Sequence, residues 1–245
     1  MNSFTYNGVN SLAMGLRIES KNVFSAPAYD TKFQAIPGRD GDLIRTNGRF
    51  PNVQITYTVF LPARSQTELS EKLTAVKAWL YAEPDRYHQL TDTYDTQAYR
   101  RAVINTQLDV EDQLRRIGVF TVSFSCLPFK FLLSGQQEIS VSTAPYTLAN
   151  PTAFASKPYI KVLGSGAGTL KISHGRGRDI PTWDFSDING YVEIDSEEMN
   201  FYKGSVSCNE DVEGSGFPIL RPGNNGISFT GGITGLLILP RWVTL

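Results

Sequence analysis

The residues that could perform chemistry are few, and their spacing does not form a metal or nucleophile site. The chain contains two histidines, His88 and His174, and two cysteines, Cys126 and Cys208. A zinc site usually draws such residues from closely spaced pairs on one element, and neither pair is close. We therefore expect all four side chains to be structural or surface residues. The sequence predicts neither a metal nor a cofactor.

Carboxylates do occur close together, as in Asp184 with Asp187 and Asp195 with Glu197 and Glu198. A glycosidase needs two such groups set across a sugar, a separation that sequence spacing does not define. No Gly-x-Ser-x-Gly nucleophile elbow is present. The acids are thus interpreted as solvated loop residues, and an enzyme is not predicted. A wall-degrading enzyme is the least favoured alternative.

Three alternating glycines, Gly164, Gly166 and Gly168, invite comparison with a nucleotide-binding loop. The dinucleotide fingerprint needs Gly or Ala where this chain has Thr169. It also needs a following helix, whereas residues 170–172 alternate like a strand. The glycines are therefore predicted to lie in a hairpin or loop.

Composition excludes several other classes of protein. Of the 245 residues, 41% are hydrophobic and 19% are charged, which suits a packed core and not a disordered chain. The net charge of -1 provides no basic face for nucleic acid and no attraction to anionic membranes. No apolar run approaches the roughly 18 residues that span a bilayer, and the N-terminus does not resemble a signal peptide. We expect no nucleic-acid sequence recognition, no membrane partner and assembly in a cytoplasm.

The first half of the chain is predicted to contain strands and one helix. Alternating apolar residues indicate half-buried strands at 14–18, 53–61 and 120–126. Ser65 and Glu68 match a capping box, and an apolar stripe at helical spacing follows before Pro84 ends the helix. The stripe consists of Leu69, Leu73, Val76 and Leu80, and Glu68 is expected to pair with Lys72. Two strands at 100–107 and 117–126 are predicted to flank a charged segment.

The second half has a different texture, rich in Gly, Ser, Pro and Asn. Short apolar runs recur at fairly regular intervals between turn signals, and no helical pattern appears. Such a pattern is typical of a β-sandwich or jelly roll. We therefore predict a mainly β protein with two domains, 1–135 and 136–245.

Two charged segments could form interfaces. The turn at 36–43 contains Arg39, Asp40 and Asp42, with two glycines that permit positive φ and apolar residues that should anchor it. The segment 108–116 contains Arg115 and Arg116 and should form a hairpin tip or a partner-facing arm. As ordinary connectors, both would be solvated. As interface loops, their charges would pair with a neighbouring subunit.

The order of several short motifs in residues 1–132 resembles one family. The motifs are Phe4-Thr5-Tyr6-Asn7-Gly8, Ser11-Leu12-Ala13-Met14-Gly15-Leu16, the turn at 37–43, Trp79-Leu80, Tyr87-His88-Gln89-Leu90-Thr91-Asp92, Tyr94-Asp95, Tyr99-Arg100-Arg101-Ala102 and Phe124-Ser125-Cys126-Leu127-Pro128-Phe129. Together they resemble the distal tail proteins of siphophages and related prophages. A looser likeness continues through 218–225 and 240–242.

The resemblance implies a belt domain with one helix, followed by a galectin-like β-sandwich. It implies a homo-hexameric ring at the distal end of a virion tail, acting as a hub without enzymatic activity. The implied partners are the tail tube protein, the tail-tip hub protein and a receptor-binding protein. Such a tail would assemble in the bacterial host cytoplasm, from either a phage or a prophage.

A carbohydrate-binding module of a tail or cell-wall protein is the alternative. In that case Trp183, Tyr191 and Trp242 would stack on sugar rings. Aromatic residues in a small sandwich more often fill its core, and this interpretation is favoured.

Overall fold

The computed structural model describes residues 1–113, 117–175 and 180–245. About 52% of the chain is strand and 9% is helical, which confirms the predicted mainly β class. The chain divides into two compact units, Met1–Lys130 and Phe131–Thr244. Within the described residues, no helix is long and apolar enough to cross a membrane.

The first unit contains strands of two to ten residues and one α-helix. Its elements are β1 (Phe4–Tyr6), β2 (Val9–Asn10), β3 (Arg17–Lys21), β4 (Thr31–Gln34), β5 (Leu43–Thr46), β6 (Val53–Pro62), α1 (Gln66–Leu80), β7 (His88–Asp92), β8 (Ala98–Val103), β9 (Val110–Gln113) and β10 (Ile117–Cys126).

Most of these strands form one antiparallel sheet in the order β2-β1-β7-β8-β10-β6-β3. Strand β9 pairs with the first half of β10, and β4 pairs only with β5 in a separate two-stranded ribbon. In β6 the residues Val53, Ile55, Tyr57, Val59 and Leu61 are buried, while the residues between them face outward. The predicted alternation is therefore confirmed, and the sheet has one core face and one outer face.

The predicted helix is confirmed together with its cap. The Ser65 hydroxyl accepts a hydrogen bond from the Glu68 amide at 3.2 Å. The Glu68 carboxylate reaches the amide of Arg64, one residue before the expected target, at 2.8 Å. It also pairs with Lys72 at 2.8 Å. The hydrogen bond from Lys72 is the main reason that the pKa of Glu68 lies below its ordinary value.

An aromatic cluster joins the helix to the core face of the sheet. Phe4 stacks on Tyr57 with ring centroids 4.5 Å apart, and Tyr6 lies 4.9 Å from Phe124. The indole of Trp79 donates a buried hydrogen bond to the Tyr6 carbonyl at 3.0 Å. A buried backbone carbonyl needs a hydrogen-bond donor. Trp79 therefore both fills the core and satisfies the Tyr6 carbonyl.

Three boundaries in this unit differ from the prediction. The strand expected at 14–18 begins only at Arg17 and continues to Lys21, because residues 11–15 form a turn. The strand expected at 100–107 ends at Val103, because residues 104–109 leave the ladder. The charged segment is partly strand, since β9 pairs with β10 through Glu111 and Val119 among others. The expected tip falls at residues 114–116, outside the described part of the chain.

The second unit consists almost entirely of strands. Its elements are β11 (Lys130–Leu132, which begins at the last residue of the first unit), a 3-10 turn (Leu133–Gln136), β12 (Ile139–Val141), β13 (Tyr146–Asn150), β14 (Tyr159–His174), β15 (Thr182–Asp195), β16 (Asn200–Lys203), β17 (Val206–Ser207), a 3-10 turn (Asn209–Asp211), β18 (Val212–Gly214), β19 (Gly223–Leu239) and β20 (Val243–Thr244).

The three longest strands of this unit are β14, β15 and β19, with 16, 14 and 17 residues. The β14 ladder shifts register between Gly164 and Gly168, so the predicted hairpin or loop at these glycines is wrong. They lie inside one continuous strand, at its irregularity. A Cβ atom on Gly164 would collide with the Gly232 carbonyl, and one on Gly232 would collide with the Ser165 carbonyl. Close backbone contact at this point therefore requires glycine.

The halves of β14 on either side of the irregularity share one core. Ile160 and Val162 precede it, Leu170 and Ile172 follow it, and all four side chains are fully buried in the same cluster as Trp183. The prediction of many strands without a helical pattern agrees with this unit, although its main strands are longer than expected. The galectin-like description remains a prediction.

Candidate assembly interface

The β4–β5 ribbon is the most exposed element of the first unit. Its register pairs Lys32 with Arg45 and Phe33 with Ile44. Neighbouring residues of a strand point to opposite faces, so one face carries the two cations and the other the two large apolar side chains. Phe33 is 66% exposed and Ile44 is 62% exposed. This exposed apolar area makes the ribbon a candidate interaction surface.

The base of the ribbon is closed by its own hydrogen bonds and contacts the rest of the unit through one aromatic ring. Asp30 accepts hydrogen bonds from Asn47 and Arg49, each at 3.0 Å. The hydrogen bond from Arg49 is the main reason that the pKa of Asp30 is lowered. Phe50 then lies edge-on to both Tyr29 and Phe129, with centroids 4.8 and 5.6 Å away. The ribbon is thus anchored at one end and exposed along its length.

The turn predicted to form an interface connects β4 to β5. Its glycines, Gly38 and Gly41, have φ values of +78° and +77°, as the sequence predicted. Arg39, Asp40 and Asp42 are exposed. None of the three makes an ion pair with the described residues. Their role at an interface remains a prediction.

The apolar residues beside this turn are only partly buried. Ile36 is half-buried, Leu43 is 37% exposed, and Ile44 beyond it is more exposed still. The expected anchoring is therefore weaker on the Leu43 side of the turn.

An open groove of about 730 Å³ lies on the outer face of the main sheet. Its lining includes Thr58, Val119 and Thr121 together with the acids Asp109 and Glu111. Both acids are exposed. The predicted interface residues Arg115 and Arg116 follow in sequence and lie outside the described residues.

The histidines and cysteines take part in structural contacts. His88 is buried with Nε2 at 3.1 Å from the Glu83 carbonyl, and His174 contacts the Asn225 amide oxygen at 2.8 Å. Burial raises the pKa of the Cys126 thiol to about 12. Burial is also the largest cause of the raised pKa of Cys208. The described ranges contain no group of three or more His, Cys, Asp or Glu residues that could hold a metal.

The interpretation of the acids at 195–198 as solvated loop residues is wrong for Asp195, which is buried and forms an ion pair with Arg241. Both carboxylate oxygens of Asp195 accept hydrogen bonds from Arg241 at 2.8 Å. Burial acts to raise the pKa of Asp195. The hydrogen bonds from Arg241 and from the amides of Glu197 and Glu198 outweigh it and lower that pKa. The pair fastens the β15–β16 turn to the segment after β19.

The aromatic residues proposed to stack on sugars are mostly core residues. Trp183 is 1% exposed and Trp242 is 5% exposed, so neither can present its face to a ligand. Tyr191 is half-buried, and the Lys161 ammonium lies 3.7 Å from its ring centroid. The interpretation of the two tryptophans as core residues is confirmed.

Comparison with known proteins places the first unit in a family. Residues 5–126 match the model of the phage tail protein RIFT-related domain. The first unit is therefore a domain of that family of phage tail proteins. Sequence comparison with curated proteins finds no match.

Solved phage structures share the fold of the whole chain. The Dit protein (gp 19.1) of phage SPP1 matches with a TM-score of 0.74 and 15% identity, over 100% of both chains. The phage P2 baseplate in its activated conformation with Ca matches with a TM-score of 0.54 and 9% identity, over 97% of both chains. The same baseplate with Sr gives a TM-score of 0.51, again with 9% identity, over 97% of this chain and 98% of that one.

Proposed function

We infer that this protein is a distal tail hub, a structural ring subunit that joins a phage tail tube to the tail tip. Six copies would close into a ring around an open channel. The observation that carries this inference is the full-length match to the SPP1 Dit protein, described as a paradigm of hub adsorption apparatus in phages that infect Gram-positive bacteria. The tail-protein domain at residues 5–126 supports it independently.

The two units would have separate tasks in this hub. The first unit, with its exposed ribbon and its sheet with an outer face, would form the ring and contact the tail tube protein and the tail-tip hub protein. The second unit, proposed to be a galectin-like sandwich, would lie outside the ring and hold receptor-binding proteins. A fold of this kind does not itself imply sugar binding, because function depends on the site.

The proposed role is structural and requires no catalysis, cofactor or recognition of a nucleic-acid sequence. The protein would be a virion component at the distal end of the tail. It would assemble in the host cytoplasm from a phage or a prophage.

Immunogold labelling of complete tails tests the location directly. Antibody against the full chain should label one position per tail, at the end away from the head. Label along the tube or on the head would contradict the proposal. Co-elution of the chain with the tail tube protein and the tail-tip hub protein from the same virion then tests the two axial contacts.

A further inference from the structure

Four asparagines of the chain are followed directly by glycine: Asn7, Asn47, Asn189 and Asn225. An Asn-Gly pair can modify itself, because the glycine has no Cβ atom to obstruct its backbone nitrogen. That nitrogen attacks the Cγ carbon of the asparagine side chain, and the new C–N bond closes an imide ring. The bond between Cγ and Nδ2 breaks, and ammonia leaves with the proton of the glycine amide. Water then opens the ring to aspartate or isoaspartate.

The reaction requires that the side-chain amide and the glycine nitrogen are both free to approach each other. Asn225 does not meet this requirement. It is fully buried, and its Nδ2 donates hydrogen bonds to the carbonyls of Leu148, Arg221 and Gly223. Its amide oxygen accepts a hydrogen bond from the Arg221 amide at 2.9 Å. The side chain is therefore fixed by the fold.

At Asn47 both reacting groups are engaged. The Asn47 side chain donates a hydrogen bond to the Asp30 carboxylate at 3.0 Å. The Gly48 amide donates one to the Thr46 hydroxyl at 2.9 Å. Attack on the side chain would break both hydrogen bonds.

Asn189 is exposed, but its peptide group is held in place. It lies in β15, where Gly190 is opposite Gly164 of β14. The Asn189 carbonyl accepts a hydrogen bond from the Lys203 ammonium. The peptide between Asn189 and Gly190 has to rotate before its nitrogen can reach the side chain, and these contacts oppose that rotation.

The pair at Asn7 differs from the other three. Asn7 and Gly8 are exposed and form the two-residue turn between β1 and β2, with φ values of +48° and +75°. The Asn7 side chain, the Asn7 carbonyl and the Gly8 nitrogen make no hydrogen bond with the part of the chain that the structure describes. A Cβ atom built on Gly8 would meet nothing within 4 Å, so the space for ring closure is open.

The turn at Asn7 can also open at low cost. Strand β2 has two residues, lies at the edge of the main sheet and pairs only with β1. Its register consists of Thr5 with Asn10 and Tyr6 with Val9. Short edge segments of this kind open locally without unfolding the rest of a domain. The rearrangement that attack requires therefore disturbs few contacts.

We propose that Asn7 is a site of spontaneous deamidation, and that this modification loosens the aromatic core beside it. Isoaspartate leads the main chain through the former side chain and so adds a carbon atom to a two-residue turn. The geometry that pairs Tyr6 with Val9 is then lost. Tyr6 packs against Phe124, and its carbonyl accepts the indole hydrogen bond of Trp79. The site lies within one chain, so the inference stands apart from the proposed ring.

Mass mapping of aged protein tests the site. The full chain is kept at mildly alkaline pH, in the native state and in urea, and the four Asn-Gly peptides are followed over time. In the native protein Asn7 should convert at least about fivefold faster than the other three, because each of those has to break a hydrogen bond first. In urea the four should convert at similar rates. A native rate at Asn7 no faster than at another pair would overturn the assignment.

Thermal unfolding of the aged protein tests the consequence. The converted fraction should unfold about 4 °C lower, the shift expected from the loss of roughly one hydrogen bond in a unit of this size. The matched control is Asn7→Gln, whose longer side chain forms the corresponding ring far more slowly. Aged in the same way, this variant should keep its own melting temperature. Converted Asn7 without a lower melting temperature, or an equal loss in the Asn7→Gln variant, would overturn the link to the core.

Discussion

Replacing Arg241 with methionine should destabilise the second unit by about 3 kcal/mol at neutral pH. The side chain of Asp195 is only 7% exposed, and each of its oxygens accepts a hydrogen bond from the guanidinium. Methionine keeps much of the apolar stem, so the loss comes from the missing charge partner of a nearly buried carboxylate. For a domain of about 100 residues, a change of this size lowers the melting temperature by roughly 10 °C or more.

The same substitution should change how stability depends on pH. Folding lowers the pKa of Asp195, so the pair contributes stability above the unfolded pKa of about 3.9 and loses it as pH falls through the folded value. Without Arg241, burial opposes the charge and the carboxyl takes up its proton at higher pH. The difference between wild type and variant should therefore be largest near neutrality and shrink in acid.

Thermal unfolding followed by tryptophan fluorescence measures this effect, since Trp183 and Trp242 both lie in the second core. The matched control is Arg221→Met, at an exposed arginine of the same unit. It should stay within about 0.5 kcal/mol of the wild type. An Arg241 variant as stable as this control, or a difference that is constant across pH, would refute the reasoning.

Three further perturbations follow from the contacts. Gly232→Ala should cost several kcal/mol in denaturant titration, because its Cβ would collide with backbone, whereas Gly38→Ala, at a φ of +78° but with open space for the Cβ, should cost about 1–2 kcal/mol. A thiol reagent at mildly alkaline pH should label Cys208 in the native protein and Cys126 only after unfolding; two fast-reacting native thiols would contradict this. Trp79→Phe should lower the unfolding free energy by about 1–3 kcal/mol through its lost buried hydrogen bond, and a neutral result would show that the carbonyl finds another donor.

Sequence periodicity predicted the elements that have one buried face. In β6 and β10 every second residue is in the core, so apolar and polar residues alternate along the sequence as the side chains alternate between the two faces of the sheet. The start of the helix was equally predictable, because the capping hydrogen bonds of Ser65 and Glu68 join groups no more than four residues apart. Local rules suffice for such elements.

The β4–β5 ribbon escaped prediction for the opposite reason. Neither of its faces is packed against its own chain, so Phe33 and Ile44 fall in no periodic pattern. The charged turn between the strands was the only local signal. The register that sets Lys32 opposite Arg45 became visible only in the structure.

The long strands of the second unit were predicted as separate short runs. The apolar runs at 159–163 and 169–172 both lie in β14, and those at 227–229 and 236–239 both lie in β19. The glycines at the β14 irregularity interrupt the apolar pattern without ending the strand. Gly164 has to be glycine because the Gly232 carbonyl lies against it. The two residues are far apart in sequence, so no local pattern predicts this contact.

The most direct test of the account is the mass of the full chain in solution, measured by light scattering after size exclusion, with negative-stain images of the same peak. The account predicts a particle of six subunits, or stacked rings of six, with an open centre. A single subunit across the micromolar range, with no ring in the images, would contradict it.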